Sequence, residues 1–470
     1  MKSIDSQNLI KSETINNGIT LTIITQNDVT VTDIFKDQFL ASPQAIDLGI
    51  TDIEFYYATT LNGWKLLLED PSKSVDLAWG FNLDYFEKME EWNLLQAIDN
   101  LTLADYIETK IPETFQGIEN IHRNSTDYML WFGTAFRTYG FILNHDFLED
   151  YNLTIPSTWL ELASPEYFLG ITEESIALSD PPLSTTQNRI NQIILQAYGD
   201  EEGWSILTRI GANGEIYYSM LDARAAAVYE TAGIAPSYSG YGIIAHRENP
   251  DTEFVIPEDY TILDFCPISL GVNCDDQTAA EAFLQFIASP EGQALWVSPG
   301  IDEIPINAEV FQTPLGQTRS DIYELYNSTY DSNYFLFNSS LATENFDRDI
   351  YYFHHTIVTE HTLLQNTWEL MITMLMNNTI NSSYFTDLVI KLGAIPEDFE
   401  CNTMWDPYPY LPCEEWQNFA KTKYNAIIEE LTLFNNPITT KTDSLEIFLT
   451  FLFIFVFSAV ASVSKTRQKK

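Results

Sequence analysis

The patterned part of the chain begins at Ile19, where ITLTIITQND sets Ile19, Leu21 and Ile23 against Thr20 and Thr22 before a polar turn at Gln26-Asn27-Asp28. Alternation of this kind predicts a half-buried strand. ITDIEFYYATT (Ile50–Thr60) predicts a second, and SVDLAWG (Ser74–Gly80), short, apolar and stopped by glycine, a third. Between them, Val31–Phe39 and Trp64–Leu68 carry apolar positions at helical spacing. Strand, helix, strand, helix, strand in pieces of this length predicts βαβ units building a largely parallel sheet.

Farther along, LDYFEKMEEWNLLQAI puts Phe86, Met89, Trp92 and Leu94–Leu95 on one helical face. Tyr128–Asn144 alternates like two strand segments interrupted by Gly133. Ser175–Thr186 predicts a strand with a polar turn, and Gln187–Tyr198 a helix with Ile190, Ile193, Ile194 and Ala197 in phase. Thr278-Ala-Ala-Glu281 has the spacing of a capping box, and Ser289-Pro290-Glu291 starts another helix with proline at its first position. From about residue 317 to 440 the pattern is mostly helical, with apolar stripes over Ile350–Val358 and Leu363–Met376.

The 470 residues are 45% hydrophobic and 14% aromatic, enough for a large core, and the length suits two or three lobes. Lysine and arginine number 23 against 67 acidic residues, a formal charge of −44. Nucleic-acid binding needs clustered positive charge, so that class is excluded, and docking of the main body on anionic lipid is disfavoured.

Ile447–Ser464 is free of charge and is followed by Lys465, Arg467, Lys469 and Lys470. As a helix this stretch would reach ~27 Å, the thickness of a bilayer core, with its basic flank inside the cell. The expectation is a cell-surface protein held in the plasma membrane by a C-terminal helix, against the alternative of a buried core helix. The four cysteines fall into two close pairs without C-x-x-C spacing. Local disulfides Cys266–Cys274 and Cys401–Cys413 are expected, the alternative being four reduced, buried thiols. Sequons at Asn100, Asn124, Asn152, Asn327, Asn338, Asn377 and Asn381 suit a glycosylated exterior. The polar N-terminus has no apolar h-region, so an export signal is expected upstream of Met1, the alternative being that the tail anchor alone directs export.

Several segments carry a resemblance. AAEAFLQFIASPEGQALW (Ala279–Trp296), followed by Ile304-Pro305-Ile306-Asn307, resembles a late helix pair and turn of the family 1 extracellular solute-binding proteins of ABC importers. Val75–Asp99 is similar to that family's third strand and following helix, and Trp131–Asn144 to its crossing segment between lobes. Pro156–Phe168, Leu178–Thr186 (with Thr185 in place of the usual glycine) and Ala197–Asn213 complete the likeness, which spans about Gly18–Phe311. It implies an α/β, two-lobed type II periplasmic-binding-protein fold with a hinge and an interlobe cleft. The chain would divide into a polar leader (1–17), lobe I (18–130), lobe II (131–261), a return to lobe I (262–311), C-terminal helices (312–436), a stalk (437–446), the transmembrane helix (447–464) and a basic tail (465–470).

In open α/β sheets ligands sit beyond the carboxyl ends of strands. Asn27, Trp79 with Gly80, and Ser184-Thr185-Thr186 all follow predicted strands, and three hydroxyl residues leading into a helix offer donors to an anionic group. Thr134 and Phe136 in the crossing segment, with Tyr217, Tyr218, Tyr238 and Tyr241, complete the expected binding set; Trp79, Phe136 and the tyrosines could supply flat walls, although core packing and helix capping are competing roles. The resemblance implies a monomeric binding protein without cofactor that captures a small solute and hands it to a permease with its ATPase. Two alternatives are metal capture, in the manner of related ferric-binding proteins with adjacent tyrosines, and an anchored hydrolase. Against the latter, His122, His145, His246, His354, His355 and His361 lie in no G-x-S-x-G or H-E-x-x-H context.

Overall fold

The computed structural model describes residues 18–58, 60–81, 83–397 and 413–435. By its contacts the chain forms two compact units, Met1–His354 and His355–Lys470. The helical stretch expected over 312–436 is shared between them.

In the first unit a single sheet runs through two wings. β1 (Ile19–Thr25) lies between β2 (Ile50–Tyr57) and β3 (Leu77–Trp79), parallel to both. In the other wing Ile176–Ser179 is parallel to Gly214–Tyr217 and to Ile234–Tyr238. Joining them are a 16-residue strand, Met129–Asn144, and an antiparallel return strand, Leu263–Gly271. The long strand pairs with the return strand over Trp131–Thr138 and with Ile234–Tyr238 over Tyr139–Leu143. It therefore belongs to both wings.

This long strand is continuous, where the sequence suggested two segments. A Cβ at Gly133 would stand 2.1 Å from Asn120 Oδ1, so glycine is there to let a neighbouring loop approach, not to break the strand. Its near-total burial follows from neighbours on both edges and layers on both faces. Around β1, Phe35, Phe39, Trp79, Phe283 and Trp296 form an aromatic core, with Phe35 4.9 Å from Trp296 and 5.0 Å from Trp79 between ring centres.

The helices start where local chemistry satisfies their first N–H groups. Asp28 caps Val29–Leu40, accepting from Thr30 N at 2.8 Å, and Ser289 caps Pro290–Leu295 with proline at the start. The helix Gln277–Ala288 is capped by Asp276, two residues earlier than the Thr278 capping box predicted. Three sequon residues, Asn100, Asn338 and Asn381, have capping duties of their own, each accepting a helix N–H through its side chain.

In the second unit, taken by itself, Glu414–Asn435 packs against His361–Met376 and Ser382–Gly393 around buried Leu364, Trp368, Met371 and Leu388. Tyr424 donates its hydroxyl to Thr356 O at 3.0 Å, and Cys413 N–H donates to His355 Nε2 at 3.2 Å.

Two expectations are corrected here. Among the described residues no helix is long and apolar enough to cross a membrane, which overturns the tail-anchored cell-surface location; the stretch Ile447–Ser464 lies outside those residues. Cys266 and Cys274 are free thiols. Cys266 lies within the return strand, while Cys274 lies beyond its end, at a turn whose N–H bonds Gly271 O. An extended strand advances ~3.3 Å per residue, so the five steps from Cys266 to Gly271 carry the chain well beyond bridging range. Cys413 is disulfide-bonded, and Cys401 lies outside the described residues.

Candidate functional site

Two turns at strand ends face each other across the sheet. β1 ends at Thr25, and the chain passes through Gln26, Asn27 and Asp28 into its first helix. Asn27 is buried, its N–H donating to Thr25 Oγ1 at 3.0 Å and its amide lying 3.9 Å from Cys266 Sγ. From the other wing, Ser184 caps the helix that starts at Thr185 and breaks at Gly199, where φ is +78°, by accepting from Gln187 N at 3.2 Å. Thr185 and Thr186 occupy its first turn, where backbone N–H groups have no intrahelical partner. With Arg137 and Tyr139 of the long strand and Asp264 of the return strand, these turns bound a cavity of about 440 Å³.

Arg137 and Asp264 are register partners on adjacent strands, so both side chains reach the same face. The Arg137 guanidinium donates through Nε to Glu303 Oε1 at 2.6 Å and lies over the rings of Phe81 and Tyr238, 3.7 and 4.7 Å from their centres. Glu303 is 2% exposed, and its Oε2 has no partner. Burial pushes its carboxyl up to about 7 although Arg137 pulls against that rise. For Arg137, burial works against the charge but the Glu303 carboxylate outweighs it, raising the guanidinium above its usual range.

Asp264 accepts from the Tyr139 hydroxyl at 3.0 Å. Burial raises its carboxyl, opposed by the charges of Arg189 and Arg137. Burial and the nearby Asp264 carboxylate push the Tyr139 phenol well up, so it stays a neutral donor. Arg189 stands 3.6 Å from Asp84 and over the Phe337 ring at 4.6 Å. Three carboxylates (Asp28, Asp84, Asp264) and two guanidiniums thus face one cavity, with Phe81 and Tyr238 among its walls. Asn188 is 3% exposed, and its Oδ1 is an unpartnered acceptor.

Of the residues expected to bind, Asn27, Thr185, Thr186 and Tyr238 line the cavity. Tyr241 packs on Tyr238 with ring centres 4.4 Å apart, and Ser184 holds the helix start. Trp79, Thr134 and Phe136 do not line it. Trp79 is wholly buried and its Nε1 reaches Thr134 Oγ1 at 3.4 Å; Thr134 donates to Cys266 O at 2.8 Å; Phe136 packs on Phe115 at 4.7 Å. Gly80 donates its N–H to Pro267 O at 3.1 Å. Tyr217 gives its hydroxyl to Glu174 at 2.5 Å, and Tyr218 is 75% exposed. The adjacent tyrosines therefore do not converge on the cavity, and among the described residues no His, Cys, Asp and Glu cluster is arranged to hold a metal.

The residues missed were Arg137, Tyr139, Asp264, Asp84 and Arg189. Each had a signal. Arg137 is the one cation in an otherwise uncharged 16-residue strand, and Arg189 lies four residues after Thr185, hence on the same helical face.

Histidines spend their ring nitrogens on structure. His122 stacks on Trp131 at 3.9 Å and bonds Glu90 at 2.9 Å; His145 bonds Glu253, His246 bonds Thr252 O, and His354 Nδ1 meets Asp180 at 2.9 Å.

A crossing pair of strands, two wings and a polar cavity between strand-end turns define a two-lobed solute-binding-protein fold. The chain belongs to the bacterial extracellular solute-binding protein family, matching it over residues 72–319, more than half its length. The family so matched is one of solute-binding proteins. A curated relative, the phosphoglycerate transport regulatory protein PgtC of Salmonella typhimurium, is 22% identical over 169 residues, 36% of this chain. The chain spans 41% of that relative's length. The solved spermidine/putrescine ABC transporter substrate-binding protein PotD from Streptococcus pneumoniae superposes with a TM-score of 0.52 at 16% identity, over 70% of this chain and 99% of PotD. An ABC transporter structure from Clostridium perfringens gives 0.52 at 15% identity, over 70% and 97% of the two chains. At these identities the likeness establishes the fold.

Proposed function

We propose that this protein is the extracellular substrate-binding component of an ABC importer, which captures a small zwitterionic organic solute and delivers it to a permease with its ATPase. The observation that carries this is the pairing of opposite charges within one cavity of about 440 Å³. Arg189 and the first N–H groups of the helix that starts at Thr185 suit an anionic end, while Asp264, Asp84 and the unpartnered Asn188 Oδ1 suit an amine. Phe81 and Tyr238 offer flat faces to the body of the solute. The relatives' names point to phosphoglycerate in one case and to polyamines in another, each carrying one kind of charge; this cavity offers both. Closing of the two wings about the crossing strands would remove the solute from water and create the form a permease reads.

The test is a thermal-shift panel of amino acids, betaines, polyamines, sugar phosphates and sugars on the full chain, with native mass spectrometry for co-purified solute. A true ligand at a hundredfold excess over its Kd adds ~2.7 kcal/mol of stability. Zwitterions alone should shift the melting temperature. A panel with no shift and no co-purified mass would overturn the reading, and a response confined to polyamines or phosphates would overturn the solute class.

A further inference from the structure

A second hollow, of about 310 Å³, lies apart from the cavity between the wings and shares no lining residue with it. Its wall includes the hairpin formed by Thr114–Phe115 and Ile118–Glu119. Both turn residues have positive φ, +50° at Gln116 and +79° at Gly117, the pattern of a type I′ turn. Asparagine, aspartate or glycine ordinarily takes the first of these positions, because a longer side chain is strained there. A glutamine kept in that conformation calls for a reason, and its Nε2 lines up with one: it is buried without a hydrogen-bond partner.

The opposite wall repeats the pattern. Asn307, the end of the Ile304-Pro305-Ile306-Asn307 segment, is 7% exposed. Its Oδ1 accepts from Glu309 N at 2.8 Å, which fixes the amide orientation, and its Nδ2 is left without a partner. Tyr326 and Tyr330 share a hydrogen bond between hydroxyls at 3.3 Å, so one phenolic proton remains to donate. Lys110 completes the rim, with exposed Glu309 3.7 Å from its Nζ and outside the lining. The floor is aromatic, Phe115 lying 5.7 Å from Tyr326 and 5.9 Å from Tyr330. In a chain with 67 acidic residues, no aspartate or glutamate lines this hollow.

Buried amide donors without acceptors are costly, and together with an ammonium and a phenol they match a group that only accepts. We propose that the hollow is a second ligand site, taking the carboxylate of an aromatic acid. That carboxylate belongs either to a free small acid or to the C-terminus of a chain ending in an aromatic residue. The acid's ring lies on Phe115 and the two tyrosines, and its oxygens accept from Gln116, Asn307 and Lys110. The inference stands whether or not the larger cavity takes a zwitterion.

Benzoate titrated into the full chain, followed by calorimetry and saturation-transfer NMR, is the test. Saturable binding is expected. Gln116→Gly suits the positive φ, so it should leave the melting temperature equal or higher while weakening benzoate about tenfold or more. Asn307→Ala should weaken it similarly, and Tyr238→Ala in the larger cavity should not. Displacement of benzoate by a tripeptide ending in free phenylalanine, but not by its amide, assigns the site to chain termini; no displacement assigns it to small acids. Absence of saturable binding, binding indifferent to Gln116→Gly, or binding lost in Tyr238→Ala would each overturn the proposal.

Discussion

Arg137 Nε donates to Glu303 Oε1 at 2.6 Å, so the cation facing the cavity is clamped from behind by a carboxylate that solvent barely reaches. Burial pushes the Glu303 carboxyl up to about 7, above the 4.5 of an unperturbed glutamate. Between those values the folded chain binds a proton that the unfolded chain does not. Stability from this group is therefore complete below about pH 4.5 and falls as pH rises through 7, by up to about 3 kcal/mol. Glu303→Gln should flatten this part of the melting-temperature profile. Calorimetry of both proteins across that interval checks it, and parallel curves would refute it.

Trp79 and Asp264 separate packing from recognition. The Trp79 ring lies 5.0 Å from Phe35, 5.9 Å from Phe283 and 5.7 Å from Trp296, centre to centre. Trp79→Ala should cost about 3–5 kcal/mol, read by urea unfolding. Asp264→Asn keeps an acceptor for Tyr139 but removes a half-buried charge from the cavity. It should leave stability equal or higher, while the affinity for an amine-bearing solute from the panel falls about tenfold or more. Equal losses of stability in the two variants would deny Asp264 a role in recognition.

The strands of the first wing were legible because each is a short segment with its own turn, as at Ile19–Thr25, and helix starts such as Ser289-Pro290 were legible from their caps; Gly214–Tyr217 and Ile234–Tyr238 of the other wing were not read from the sequence. The cavity was half legible. Residues at strand-end turns, Asn27 and Thr185-Thr186, could be placed from the fold rule for open sheets. Within the long strand, side chains alternate, and choosing the wrong parity exchanges core for cavity. Thr134 and Phe136 face packing partners; Arg137 and Tyr139, one residue along, face the cavity. Because the strand is buried on both faces, the alternation read there did not say which parity faces the cavity, and only Arg137 betrayed the polar side. Trp79 was misplaced for a similar reason, since a wall and a core share aromatic chemistry. The pairing of Cys266 with Cys274 failed because spacing in sequence says nothing of the extended strand that holds the two apart.

Gly133 tests the close approach that keeps the long strand continuous. An added methyl would meet Asn120 Oδ1 at 2.1 Å and Phe265 Cβ at 3.2 Å, and Asn120 is 3% exposed with its Nδ2 donating to Pro112 O. Gly133→Ala should destabilise by about 1–3 kcal/mol. Truncating Asn120 in the same chain removes the nearer clash, so the double variant should lose less than the two single losses added together. Simple additivity in denaturant melts would mean that the contact with Asn120 is not what requires glycine.

The two free thiols differ in their reach to solvent, and alkylation should report it. Cys266 is wholly buried, and burial raises its thiol well above the usual range; Cys274 is half-buried, raised by burial first and then by the Asp76 carboxylate beside it. Only the thiolate reacts, so both should resist iodoacetamide in the native protein at neutral pH, Cys266 most of all. Peptide mapping after a timed pulse should find Cys266 unmodified and Cys274 modified slowly, with both fully labelled in denaturant without reductant. Asp76→Asn removes the charge that disfavours the Cys274 thiolate and should speed labelling there while leaving Cys266 untouched. Resistance of either cysteine in denaturant until reductant is added would place it in a disulfide and contradict the free thiols.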